Sequence, residues 1–183
     1  FVRAHSPIKR VRALRDAHDP LGFSRDLWKQ MADLGWVGIL IPEEHGGAGM
    51  GLADLTVVLE ALGRVLAPEP FLSTVLLAGQ VLTIAGNEQQ KRTWLPPIAT
   101  GEKILTVAYQ EARSRYDIHR VTTKAERDGN AWRLSGEKIQ VLDGPSADMF
   151  IVSARIAGGA NDPNGISLFL VPRDTPGLTV IPQ

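Results

Sequence analysis

The stretch "ATGEKILTVAYQ", residues 99–110, decides how this chain is read. Ahead of it, apolar residues recur at helical spacing. Beyond it, they gather into short β-branched and aromatic runs. On the helical side, Ser24 is placed to N-cap a helix, with Phe23 and Trp28 forming a hydrophobic staple. Leu27, Met31 and Leu34 follow at i, i+4 and i+7, one helical face, and Gly35 suits a left-handed stop. A second helix is predicted over 52–66, with Leu55, Val58, Leu59, Leu62, Val65 and Leu66 as its apolar stripe and "APEP" (67–70) as its end. The third, "FLSTVLLAGQVLTIA" (71–85), is apolar nearly all round, the pattern of a helix buried between neighbours or against a ligand. Asn87 and Gln90 form a capping box for a fourth helix, 88–95, which Pro96 and Pro97 should stop.

On the strand side lie "ILTVAYQ" (104–110), "VTTKAER" (121–127), "AWRLSGEKIQVL" (131–142), "MFIVSAR" (149–155), "GISLFLV" (165–171) and "LTVIP" (178–182). Asp128-Gly129-Asn130 supplies a hairpin turn. Several short strands at close spacing suggest an antiparallel barrel or sandwich. The expected class is α+β: an N-terminal all-α helical domain, 1–102, followed by an antiparallel β-barrel domain, 103–183, with the boundary near Gly101. "AGGANDPNG" (157–165) reads as an exposed loop, and the abrupt finish in a strand-like run suggests a piece of a longer polypeptide.

Composition narrows the function classes. The 183 residues carry 20 basic and 20 acidic side chains, a formal net charge of zero, which argues against nucleic-acid binding through bulk charge. There is no cysteine, hence no disulfide framework, thiolate metal site or cysteine nucleophile; a cytoplasmic location is compatible with this. No apolar run approaches the roughly 20 residues needed to span a bilayer. The basic start, with Arg3, Lys9, Arg10, Arg12 and Arg15, lacks an apolar signal core and reads as a solvated helix face.

"PEEHGGAGMG" (42–51) is glycine-rich but has neither the GKS/T ending of a P-loop nor Rossmann spacing, and reads as a structural turn. The histidines at 5, 18, 45 and 119 lack metal-ligand spacing, and no Ser-His-Asp order can be defended. "AYQEARSRYD" (108–117) sets Glu111, Arg113, Arg115 and Asp117 around Tyr116: a catalytic constellation, a ligand loop or a solvated bend.

Four stretches in order, "MADLGWVGILIPEEHGGAGMG" (31–51), "AGNEQQKRTWLPPIATGEKILTVA" (85–108), "TTKAERDGNAWRLSGEKI" (122–139) and "ADMFIVSAR" (147–155), resemble the acyl-CoA dehydrogenase family over nearly the whole chain. The resemblance implies a helical N-terminal domain and a middle β-barrel domain, without the family's C-terminal four-helix domain. It further implies FAD as cofactor, an acyl-CoA substrate, an electron-acceptor flavoprotein, and association with like subunits. The family's catalytic carboxylate normally comes from the C-terminal domain, so no catalytic residue is assigned in this chain. In the family, a Thr-Glu-Pro motif, glycines and Ser-Asp stand near the flavin. Here Glu111 and Asp117 match the acids, while Gln110 and Ala112 replace the threonine and proline, and Arg115 and Tyr116 replace a glycine and serine. After the matching Gly136 and Lys138, Gln140 and Leu142 stand where a tryptophan and threonine are usual. Gln110 and Gln140 are therefore the expected flavin-facing residues, their amides able to bond the ring edge. Arg115 is a candidate for a CoA phosphate or a substrate carboxylate. The paired departures resemble small or partner subunits of heteromeric members, such as the pimeloyl-CoA dehydrogenase small subunit and paired subunits acting on steroid side-chain thioesters. Expected is a subunit carrying out α,β-dehydrogenation of an acyl-CoA in fatty acid, dicarboxylic acid or steroid side-chain degradation. The alternative is a non-catalytic structural subunit with a degenerate flavin site.

Overall fold

The computed structural model describes residues 1–182. Its first half is helical: α1 (Val2–His5), α2 (Ile8–Asp16), α3 (Arg25–Asp33), α4 (Leu52–Gly63), a π-helical segment (Phe71–Ala78) running directly into α5 (Gly79–Ala85), and α6 (Glu88–Ala99). Its second half is a five-stranded sheet of β1 (Leu105–Ala108), β2 (Lys124–Asp128), β3 (Ala131–Ser135), β4 (Met149–Arg155) and β5 (Ile166–Pro172). Helices followed by a sheet is the order the sequence predicts.

The starts of α3 and α6 form where short polar side chains take up free backbone N–H groups. The Ser24 hydroxyl accepts from Leu27 N–H at 3.2 Å, and the staple residues Phe23 and Trp28 are both buried. Asn87 and Gln90 form the reciprocal capping box, with bonds of 2.8 and 2.9 Å. Helix ends depart further from expectation. Leu34 lies beyond the last turn of α3, where Gly35 (φ 79°) reverses the chain, so it is exposed rather than on the buried face. Helix α4 stops at Gly63, and Leu66 turns outward at φ 52°. Helix α6 runs through Pro96 and Pro97 instead of stopping at them. Two backbone donors are lost, yet Leu95, Ile98 and Ala99 are buried and hold the final turn by packing.

The strand β4 is the hub of the sheet. On one edge it pairs antiparallel with β5 along its whole length. On the other it pairs in parallel with β1 (Leu105↔Met149 to Ala108↔Val152) and then, at Arg155, with β2. Strands β2 and β3 form a hairpin closed by Gly129 and Asn130, as the turn signal predicts. The sheet is thus mixed, with parallel pairs where antiparallel pairing was expected, and does not form a clear barrel. Strands β1 and β2, separated by a long excursion, run in the same direction along one edge of β4, and the crossover from β3 into β4 makes both pairs parallel. Four predicted strands are shortened or missing: 104–110 pairs only over Leu105–Ala108, and 121–127 enters the sheet only at Lys124. The run 131–142 leaves the sheet after Ser135; Gly136 lies so close to Thr123 that a Cβ would sit 2.5 Å from its Oγ1. Residues 178–182 form no strand; Leu178 and Val180 pack instead against the core.

Two apolar clusters join the halves. One centres on Trp28, Met31, Leu55 and Phe71 and reaches Ile104 and Phe150. The other sets Ala78, Leu82, Leu95 and Ile98 against Leu105, Met149 and Ile151. The 71–85 segment is therefore buried between neighbours over much of its surface, although Leu72 and Ile84 are exposed. The glycine-rich stretch 42–51 is a structural turn: Ala48, Gly49 and Met50 donate backbone bonds to Gly38, Ile41 and Ile39.

Candidate functional site

The site is built at the end of β1, where the chain leaves the sheet edge. Ile139 N–H donates to Gln110 C=O at 2.9 Å, so the segment after β3 is laid beside the segment after β1. This brings Gln110 and Gln140, the two expected flavin-facing residues, onto neighbouring stretches of chain. Gln110 is half-buried and Gln140 exposed, the latter held at φ 51°. Beside them, Tyr109 and Leu142 each expose nearly half of their surface, 47% and 46%. The Leu142 carbonyl is fixed by the Thr106 hydroxyl at 2.6 Å. Arg115 lies elsewhere, in the following loop; it is exposed, at φ 49°, and in no ion pair among the described residues. Tyr116 beside it is fully exposed.

Between these segments lies a charged cluster that answers the question posed by "AYQEARSRYD". Glu111 is buried, and its carboxylate accepts from Thr122 N–H (2.8 Å), Thr123 N–H (3.0 Å), Thr123 Oγ1 (2.8 Å), the Thr122 hydroxyl and Lys138 Nζ (2.7 Å). Lys138 also donates to Ser153 Oγ at 3.0 Å. Burial works to raise the Glu111 carboxyl, but the bonds from Lys138, Thr122 and Thr123 outweigh it and push the pKa down to about 2. Burial likewise pulls the Lys138 ammonium below its usual range, against the opposing pull of Glu111. A carboxylate with both oxygens occupied, held ionised, is neither a ready proton acceptor nor a free ligand. It fastens the start of the β1–β2 excursion to its end, and both to the segment carrying Gln140.

A second buried charge does similar work. Arg155, at the end of β4, donates to the carbonyls of His119 (2.8 Å), Val121 (2.9 Å), Ala157 (3.3 Å), Ala160 (3.2 Å), Asp162 (3.0 Å) and Asn164 (2.8 Å). It shapes the 157–165 loop around its guanidinium, whose planar fork can serve several acceptors at once. Only indirect signals of either device stand in the sequence: Glu111 and Lys138 both match family positions, and Arg155 ends a mostly apolar strand. Among the described residues, no group of three or more His, Cys, Asp or Glu could hold a metal ion.

Comparison with known proteins fits this arrangement. The acyl-CoA dehydrogenase N-terminal-domain profile matches residues 3–102, and the middle-domain profile matches 106–183. Mitochondrial isobutyryl-CoA dehydrogenase of Dictyostelium discoideum is 34% identical over 158 residues, 86% of this chain and 38% of its own length. Among solved structures, the Tcur3481-Tcur3483 steroid ACAD G363A variant superposes with a TM-score of 0.83 at 36% identity, covering 97% of this chain and 46% of its own. The ChsE4-ChsE5 complex from Mycobacterium tuberculosis gives a TM-score of 0.84 at 33% identity, covering 98% and 46%. The chain belongs to the acyl-CoA dehydrogenase family, a family of FAD-using oxidoreductases. It spans about two fifths of the length of the curated relatives it matches.

Proposed function

We propose that this chain is the N-terminal and middle part, divided as 1–102 and 103–183, of an FAD-dependent acyl-CoA dehydrogenase subunit. The observation that carries this reading is the Ile139–Gln110 backbone bond of 2.9 Å, which lays the segment of Gln110 and the half-exposed Tyr109 beside the segment of Gln140 and the half-exposed Leu142. Apolar surface with adjoining amides suits a flat aromatic ring with a polar edge, so the residues present fit a flavin. Gln110 and Gln140 would hold the ring edge. FAD, when bound, supplies the two-electron acceptor that a saturated acyl chain requires. This chain's own residues bind and orient: the Glu111–Lys138 pair keeps the two glutamine-bearing segments in register, and Arg115 offers a guanidinium to a CoA phosphate or substrate carboxylate.

The reaction would be α,β-dehydrogenation of an acyl-CoA, the thioester coming from fatty acid, dicarboxylic acid or steroid side-chain breakdown, in the cytoplasm, with electrons passed to an acceptor flavoprotein. The likeness to a steroid acyl-CoA dehydrogenase and to the ChsE4-ChsE5 complex supports assembly with a second dehydrogenase subunit. Leu142, an aliphatic side chain where the family carries a threonine hydroxyl, favours one further reading, a structural subunit that has lost its flavin. Flavin absorbance separates them. The full-length protein, purified alone and with a dehydrogenase-like partner, is expected to carry flavin in the assembled complex. A colourless complex would support the structural reading; one flavin per chain in the protein alone would exclude it.

A further inference from the structure

Two irregular pieces of backbone meet at one hydrogen bond. The first is the π-helical segment, in which Gly79 N–H bonds back to Thr74 C=O. The second is the turn that follows Gln140 and Leu142, where Asp143 adopts φ 52°, a left-handed conformation uncommon outside glycine but tolerated by aspartate. Ser73 Oγ, on the π-helical segment and fully buried, donates to Asp143 Oδ2 at 2.6 Å. The adjoining bonds build the turn outward from this point: Gly144 N–H to Val141 C=O at 3.1 Å, and Ser146 N–H to Asp143 C=O at 3.0 Å. On the neighbouring residue of the helix, the Thr74 hydroxyl bonds Leu105 C=O at 2.9 Å, so the same helical turn grips β1 as well.

We propose that the Ser73–Asp143 bond is a clamp that sets the position of residues 140–142 against the π-helical segment, making Asp143 a positioning residue for the flavin-facing side chains. The proposal rests on the FAD reading above. Irregular helix turns and left-handed non-glycine residues persist where surrounding contacts hold them, and they gather at ligand sites. Burial raises the Asp143 carboxyl above its usual range, opposed by the Ser73 bond, and no lysine or arginine pairs with it among the described residues. Its hold on the turn is therefore through Ser73.

The test uses the full-length protein, with its dehydrogenase partner where one is required, carrying Ser73→Ala, Asp143→Ala or Asp143→Asn. Amide hydrogen exchange at Gly144 and Ser146 reports the turn; FAD affinity and the visible flavin spectrum report the site. Ser73→Ala and Asp143→Ala are expected to speed exchange at both amides and weaken FAD binding, each roughly tenfold, the effect of losing one buried charge-assisted bond. Asp143→Asn keeps both the acceptor oxygen and the left-handed preference and is expected to stay close to wild type on both readouts. Unchanged exchange in the two alanine variants overturns the clamp. So does faster exchange accompanied by an unaltered flavin spectrum and affinity. If wild-type protein carries no flavin, the functional reading fails; the clamp is then decided by exchange alone, a local increase at Gly144 and Ser146 supporting it and no increase overturning it.

Discussion

Glu111 illustrates how one residue can look catalytic and be structural. Among the charges of residues 108–117 it is the buried one, and its carboxylate oxygens are taken up by Thr122, Thr123 and Lys138. Its folded-state pKa lies below the ordinary value of 4.5, at about 2. The stability it contributes is therefore complete above about pH 4.5 and is lost as pH falls towards 2. Across that window the loss amounts to roughly 3 kcal/mol. Urea midpoints of wild type and Glu111→Gln should differ most near neutral pH and converge on acidification; a difference independent of pH would contradict the assigned role. Glu111→Ala, which leaves Lys138 buried without its partner, should cost about 3–5 kcal/mol.

At the scale of elements, the β1–β2 excursion and the 157–165 loop are shaped by side chains rather than by regular backbone pairing. Arg155→Met should leave β4 paired with β5, because that ladder does not depend on the guanidinium. It should free six carbonyls, and amide exchange across 157–165 should rise roughly tenfold or more while β4 stays protected. Equal loss of protection in both would mean that Arg155 supports the whole sheet. Helix starts were legible in the sequence because a cap is local: Ser24 and Asn87 act within three residues. The hairpin at 129–130 was legible for the same reason. The passage of α6 through Pro96 and Pro97 was not, since the burial of Leu95 and Ile98 that sustains it depends on residues far away in sequence. Nor was the parallel pairing of β1 with β4, which joins segments far apart in sequence. At the site, the family resemblance pointed to Gln110 and Gln140 as the expected flavin-facing positions. The closure of Glu111 on Thr122, Thr123 and Lys138, which keeps them adjacent, is a set of contacts 11 to 27 residues apart.

At the scale of the whole molecule, a helical half and a mixed sheet share two apolar clusters, so the sheet edge bearing the site is braced from behind by the 71–85 segment and α6. No helix among the described residues is long and apolar enough to cross a membrane. The surface near the site keeps large apolar side chains exposed, including Tyr109 and Leu142, which suits a face completed by a ligand or another part of an assembly. We propose that this face holds FAD through Gln110 and Gln140. The most direct measurement is the FAD dissociation constant of the full-length protein in its assembled state, for wild type and for Gln110→Ala/Gln140→Ala, alongside the thermal midpoint of each. Expected is flavin in the wild type and affinity weakened roughly tenfold or more in the double variant, with the midpoint of the flavin-free protein unchanged. Equal affinity in the two proteins would contradict it.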